Sequence, residues 1–303
     1  MSKAIPKRTL GKTGLTISAV TFGGIINTDE TPEDAGRFVE SAIDSGVNYF
    51  DVAPTYGNAQ ERLGPALEPF RKGVFLACKT MERTKDGAKK LMLESLKLLR
   101  TDHFDVYQMH AMSTQEDYDA AFGSDGVIET LVWAKREGLI RNIGFSTHNE
   151  DLAMMCLDAF PFDTVLFPFQ FSMGYNIGWG ERVAERSKKD GYGLLAMKTL
   201  IHRAWLNGEA RGPYPKSWCK PFFLGDAHQE ALGVASMKRA ISMGAATLIP
   251  PGNFAHFEFM LRNINEVIDE PFAEVDAIML RTEAEKVREW PIFTPEKVGV
   301  RSA

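Results

Sequence analysis

An acid, a phenol, an amine and an imidazole follow one another along the sequence as Asp51, Tyr56, Lys79 and His110. Each closes or follows a short apolar run: Asp51 in N-Y-F-D, Tyr56 in the loop D-V-A-P-T-Y-G, Lys79 in F-L-A-C-K and His110 in Y-Q-M-H. Singly, each has an ordinary explanation. A strand-end aspartate caps helices, a tyrosine in a proline-containing turn anchors it, and a rim lysine or histidine is solvated. Jointly they form a proton-handling set. Reducing a carbonyl by hydride leaves an alkoxide that needs a proton, and a free phenol with a pKa of ~10 gives one up slowly near neutrality. A lysine ammonium about 4 Å away is worth roughly 4 kcal/mol at an effective dielectric of ~20, or about 3 pK units, which brings the phenol toward ~7. Burial alone would discharge that lysine, so Asp51 is required beside it as a counter-charge. His110 then hydrogen-bonds the carbonyl oxygen and orients it.

Such a set needs elements that deliver it to one place. Short apolar runs at 19–22, 47–50, 74–77, 104–107, 142–145, 165–167, 193–196 and 246–249 read as eight strands. Stretches with apolar residues at helical spacing lie between them, at 32–45, 87–100, 126–138 and 227–243 among others. Thr31 before Pro32-Glu33-Asp34 is a helix start, with a capping oxygen, a proline and acids in the first turn. Strict β/α alternation implies a parallel sheet, and eight repeats imply a closed (β/α)8 TIM barrel, one domain over residues 1–303. A doubly wound sheet is the alternative, but no G-x-G-x-x-G separates the first strand from the first helix. R-T-L-G-K-T-G-L-T-I-S near the start reads as a β-hairpin. A long loop after strand seven, about 199–226, holds Trp205, Tyr214, Trp218, Phe222 and Phe223 and reads as a lid over the barrel mouth. Active sites of such barrels sit at the C-terminal strand ends. There the second to fourth strands place the four residues above, and the fifth and sixth end at Ser146 and Gln170. Alternation along the strand points Lys79 inward and Cys78 toward the helices. Trp133 and Trp179 read as core and loop packing.

The formal net charge of −5 argues against nucleic acid as the main partner. Three cysteines without metal-ligand spacing fit a reducing compartment. No run approaches a membrane span or a signal peptide, so a cytoplasmic protein is expected, with no membrane association and no metal site.

The contexts of these residues resemble the aldo-keto reductase family over nearly the whole chain. The resemblance rests on R-T-L-G-K-T-G-L, N-Y-F-D-V-A-P-T-Y-G-N-A-Q-E-R-L-G, F-L-A-C-K-T, F-D-V-Y-Q-M-H, G-L-I-R-N-I-G-F-S-T-H and L-I-P-P-G-N. It implies an NAD(P)H-dependent oxidoreductase acting on a small aldehyde, ketone or alcohol, with the cofactor extended across the barrel mouth and NADP favoured over NAD. By resemblance, Tyr56 is the general acid/base, tuned by Lys79 and Asp51, and His110 positions the carbonyl. Gly23 lets the cofactor lie close to the backbone, Ser146 and Gln170 hold the nicotinamide carboxamide, Gly252 and Asn253 meet the adenosine phosphate end, and Asn263 the adenine. Three departures stand out. Ser146-Thr147 replaces the family's Ser-Asn. Met197-Lys198 stands where a stacking aromatic is expected, and by resemblance Thr147, Met197 and Lys198 are counted among the cofactor-binding residues. Phe259 falls near the place of an arginine that often grips the 2′-phosphate, with Arg262 close by. G-F-S-T-H and M-K together resemble a bacterial and archaeal subgroup, without the C-terminal cysteine cluster that some of its members carry for iron–sulfur centres.

Two other readings use the same residues. Lys79 at a strand end is also where a Schiff-base aldolase keeps its nucleophile. A barrel that holds NADPH as a redox sensor or regulatory subunit, with weak turnover, would fit the altered nicotinamide contacts. The sequence does not name the substrate or the oligomeric state.

Overall fold

The computed structural model describes residues 4–293. A hairpin comes first, β1 (Lys7–Thr9) antiparallel to β2 (Thr16–Ser18), with Lys7 opposite Ser18. It closes the bottom of the barrel: Leu10, Leu15 and Ile17 pack against Tyr49, Ala77, Val106, Leu166, Leu195 and Ala246 in the interior. Its turn needs Gly11, whose φ is +50° and where a Cβ would stand 2.3 Å from the Gly193 nitrogen.

Strands and helices then alternate. The strands are β3 (Phe22–Gly23), β4 (Tyr49–Asp51), β5 (Phe75–Thr80), β6 (Phe104–Met112), β7 (Ile140–Thr147), β8 (Thr164–Pro168), β9 (Gly193–Met197), the short pair β10 (Ile201–Arg203) and β11 (Lys220–Pro221), and β12 (Thr247–Ile249). The helices are α1 (Pro32–Asp44), α2 (Ala59–Leu67), α3 (Lys85–Leu98), α4 (Gln115–Phe122), α5 (Val127–Arg136), α6 (Glu150–Ala159), α7 (Phe171–Ile177), α8 (Glu181–Asp190), α9 (Ala227–Ser242), α10 (Phe254–Asp269) and α11 (Glu274–Lys286). The large sheet runs β12-β9-β8-β7-β6-β5-β4-β3, all parallel. The parallel bridge between Val20 and Leu248 closes the ring, with Thr21 N donating to Leu248 O at 3.0 Å and Leu248 N to Ala19 O at 3.0 Å. The fold is the expected (β/α)8 barrel, and each of the eight expected strands is present within a few residues. No helix among the described residues is long and apolar enough to cross a membrane.

Local chemistry accounts for the main elements. The Thr31 hydroxyl accepts from Asp34 N ahead of Pro32, which starts α1. Along β5, Ala77 faces the interior, Cys78 faces the helix layer and Lys79 faces the interior again. Burial pushes the Cys78 thiol up to about 12, so it is inert packing. One expectation is corrected. The segment after β9 is not irregular throughout, because β10 and β11 pair at its base and Phe222 N donates to Leu200 O at 3.0 Å. Trp133 packs half-buried against the edge of the core, with the Lys89 ammonium 4.2 Å from its ring centroid, a cation–π contact.

Candidate active site

The C-terminal mouth of the barrel holds an ion pair with no access to water. Lys79, on β5, is fully buried, and its Nζ donates to Asp51 Oδ1 at the end of β4. Its second partner is Val52 O at 3.5 Å. Gln108, on β6 and in register with Lys79, donates from Nε2 to Asp51 Oδ2 at 3.4 Å. Parallel pairing sets this placement, since Gly23 is level with Asp51, Asp51 with Ala77, and Lys79 with Gln108. Burial raises the Asp51 carboxyl above its ordinary range even though Lys79 and Gln108 pull it down. Burial also opposes the Lys79 charge, but Asp51 and Tyr56 override it and hold the amine above its ordinary value. Lys79 is therefore an ammonium and not a free amine, which removes support for the Schiff-base reading.

Tyr56 sits against this pair. The Lys79 Nζ lies 5.3 Å from the centre of the tyrosine ring, near enough for its charge to act on the phenol. The loop is fixed by Tyr56 N donating to Ala53 O at 3.1 Å and by the Thr28 hydroxyl donating to Tyr56 O at 2.9 Å. The expected fall of the phenol toward neutrality is corrected here. Burial raises the Tyr56 pKa, and the Lys79 ammonium lowers it without cancelling the rise. The half-buried phenolate would lose part of its hydration, and that penalty outweighs one neighbouring charge. Tyr56 therefore holds its proton at neutral pH, as an acid must before it donates.

His110 meets the Tyr56 ring edge-on, with centroids 5.8 Å apart and planes at 85°. Burial, then Lys79, His148 and Arg83, push it down to about 3, so the imidazole is neutral and carries one N–H. The Thr55 hydroxyl lies 3.3 Å from Nδ1. A bulge presents this ring: the β6–β7 register shifts between Met109 and Met112, and Ala111 has φ +51°. The Ser146 hydroxyl accepts from Ala111 N at 2.8 Å. Arg83 donates to His110 O at 2.7 Å and to Ala111 O at 3.4 Å while its Nε pairs with Asp117 at 2.9 Å. Arg83, Thr55 and Gln108 were not picked out from the sequence. Gln108 had a signal, since it stands two residues before His110 on one strand face.

The remaining rim residues are spread around the same mouth. Gly23 ends β3 and has room for close approach, its nearest side-chain neighbour being Ile249 at 3.5 Å from a built Cβ. Gly252 faces Ile25 and precedes Asn253, the cap of α10, whose Oδ1 accepts from His256 N at 3.0 Å. Phe254 and Ala255, in the first turn of this helix, have N–H groups without a helical partner, a feature suited to phosphate oxygens. Asn263 lies nine residues further on, with its amide donating to Phe259 O at 2.8 Å. Phe259 is buried and Arg262 is exposed. The Thr147 hydroxyl accepts from Asn149 N at 3.0 Å and donates to Met112 O. Gln170 caps α7 through Oε1 and donates from Nε2 to Ile201 O at 3.2 Å and His202 O at 3.0 Å, so both ends of its amide are engaged by the protein. Met197 ends β9 and Lys198 follows it, both half-buried. The loop over 199–226 crosses the mouth: Lys216 donates to Thr28 O and pairs with Glu30 at 2.5 Å, and Asn253 Nδ2 donates to Ser217 Oγ at 3.3 Å.

Burial also depresses His148 to about 3 and His256 to about 4. With His110, these rings stay neutral in the fold but take up protons in the unfolded chain below a pKa of ~6.5. Stability is then full above that value and is lost as pH falls from ~6.5 toward the folded values, by up to roughly 1.4 kcal/mol per pH unit for each ring. Urea midpoints measured from pH 7.5 to 4.5 should fall through this window, and His148→Phe should flatten the fall. A midpoint independent of pH there would contradict the buried, neutral rings.

A family model described as "Aldo/keto reductase family" matches residues 19–220. An uncharacterized oxidoreductase YqkF of Bacillus subtilis (strain 168) is 32% identical over 155 residues, 46% of this chain and 48% of that protein. L-galactose dehydrogenase of Arabidopsis thaliana is 31% identical over 181 residues, 53% of this chain and 54% of that protein. The matches thus span about half the length of these relatives. Among solved structures, the holo form of aldo-keto reductase AKR11C1 from Bacillus halodurans aligns with a TM-score of 0.69 and 20% identity over 93% of this chain and 96% of that one, a likeness of fold.

Proposed function

The chain belongs to the aldo/keto reductase family, and on that premise we propose that it is an NAD(P)H-dependent carbonyl reductase or alcohol dehydrogenase with Tyr56 as its acid/base. One observation carries the reading: a water-excluded Lys79–Asp51 pair lies against the Tyr56 phenol, with a neutral His110 edge-on to the same ring. The bound nicotinamide would supply or accept the hydride. The chain's own residues would manage the proton and the oxygen. Tyr56 keeps its proton until negative charge builds on the substrate oxygen, then donates it. Lys79 favours the tyrosinate that remains, and Asp51 keeps Lys79 charged throughout. His110, held by Arg83 and the bulge at Ala111, directs its N–H to the same oxygen and orients the carbonyl.

Gly23, Ser146, Thr147, Met197, Gly252, Asn253 and Asn263 are the residues we assign to the cofactor; Gln170, whose amide is already saturated by the protein, is left out. The open backbone at Gly23 and Gly252 and the N-terminus of α10 fit a dinucleotide with a pyrophosphate. Arg262, exposed beside Asn263, is the cation available to a 2′-phosphate and supports NADP ahead of NAD. The segment crossing from β9 to Thr28 and Glu30 would cover the bound molecule. The test is a fluorescence titration with NADPH and with NADH, followed by a panel of aldehydes and ketones read at the nicotinamide absorbance band. Tight dinucleotide binding with turnover supports the reading; tight binding with none favours a redox-sensing barrel, and no binding refutes both.

A further inference from the structure

Resting on that carbonyl-reductase reading, we propose that Lys198 and His148 form an oxyanion site for a carboxylate or phosphate carried by the substrate, beside His110 at the barrel mouth. Most of the other cations around this end of the molecule have a carboxylate partner; exposed Arg211 and Arg262 do not. Lys79 has Asp51, Arg83 has Asp117, Arg203 and Lys220 share Glu209, Lys216 has Glu30, and His202 has Glu283. Lys198 has no carboxylate within ion-pair reach among the described residues. Its ammonium instead faces the Phe293 ring, 5.4 Å from the centroid. A ring face is a weak substitute for a counter-ion when an ammonium has lost most of its water. Burial pushes the Lys198 pKa down, and the neighbouring Cys219 thiol, no substitute for a carboxylate, does not offset it.

His148 packs on the same ring, with centroids 4.5 Å apart and planes at 30°. Neither of its ring nitrogens has a hydrogen-bond partner among the described residues. Two half-buried donors thus meet at one aromatic side chain with no hydrogen-bond acceptor on either among the described residues. They also stand on the substrate side: His148 lies close enough to His110 to help depress it, and Lys198 does the same to His148. Resemblance groups Lys198 with the cofactor residues, yet its ammonium is turned toward Phe293 and His148. Lys198 is in the left-handed backbone region at φ +62°, a conformation that lysine adopts only under strain. An anion between the two donors would balance the charge and supply the missing acceptor. The substrate class is therefore a carbonyl compound with an anionic group some distance from the reacting carbon.

The test compares 4-carboxybenzaldehyde with 4-methylbenzaldehyde in the wild type, Lys198→Met and Lys198→Arg. NADPH dissociation constants are measured alongside, and benzoate is titrated calorimetrically as a probe that needs no turnover. The wild type should favour the carboxylated aldehyde in kcat/KM by about tenfold or more. Lys198→Met should abolish that preference through KM and weaken benzoate by about tenfold, and Lys198→Arg should keep most of it. NADPH binding should stay within about twofold in both variants. If Lys198→Met weakens NADPH by about tenfold and leaves the aldehyde ratio unchanged, the cation serves the cofactor's phosphates and the proposal is overturned. A wild type that shows no preference and no benzoate binding overturns it as well. If neither aldehyde is reduced, the hydride-transfer reading fails, and the benzoate titration alone still decides the site.

Discussion

Tyr56→Phe should bind NAD(P)H as the wild type does and lose carbonyl reduction by about two to four orders of magnitude, the usual worth of a positioned proton donor. The loss should be deep because nothing nearby replaces the phenol. His110, depressed to about 3, is neutral and has no imidazolium proton to give at physiological pH. Lys79 is held in its charged form by Asp51, and its proton is engaged with that carboxylate. The deletion removes one hydroxyl and leaves the ring that packs against His110, so the fold and the dinucleotide site should survive. Dissociation constants from fluorescence and kcat from nicotinamide absorbance separate the two effects. Turnover within tenfold of wild type would mean that the proton comes from elsewhere.

Lys79→Met should be the most damaging single change to stability near the mouth. It removes one half of a buried pair and leaves Asp51 charged and without its main partner, a loss of about 3–5 kcal/mol for pairs of this kind. Gln108, at 3.4 Å, is too weak a donor to compensate. The double variant Asp51→Asn/Lys79→Met removes both charges and should regain much of the loss, because the unpaired charge carries most of the penalty. Any activity left in Lys79→Met should show its alkaline limb moved to higher pH, since the ammonium lowers the Tyr56 pKa. Urea midpoints of the two single variants and the double variant form a complete cycle. A loss under about 1 kcal/mol in Lys79→Met would show that the pair is not buried as described.

Lys79, Asp51 and His110 were legible in the sequence because strand ends are legible, and Tyr56 because it follows one of them in the loop. A run of apolar residues that stops at a polar one marks the rim of a parallel barrel, and successive strands carried Asp51, Lys79 and His110 to adjacent places on that rim. What escaped was whatever depends on three-dimensional neighbours. The phenol was expected to fall toward neutrality because one neighbouring charge could be counted, whereas the desolvation that raises Tyr56 exists only once the mouth is built. Arg83 grips the His110 and Ala111 carbonyls from a loop after β5, and nothing in its local sequence marks that reach. The bulge at Ala111 likewise has no glycine to announce it. The unpaired state of Lys198 could be seen only after the partners of the other cations had been assigned.

The most direct measurement uses NADPH and NADH deuterated at the C4 of nicotinamide, one preparation for each face, with mass analysis of the alcohol formed from an aldehyde that the wild type turns over. One deuterium should appear on the former carbonyl carbon from one of the two faces, at a rate that collapses in Tyr56→Phe. An alcohol without deuterium from either face, or dinucleotide left unoxidised across the whole carbonyl panel, would contradict the hydride-transfer reading.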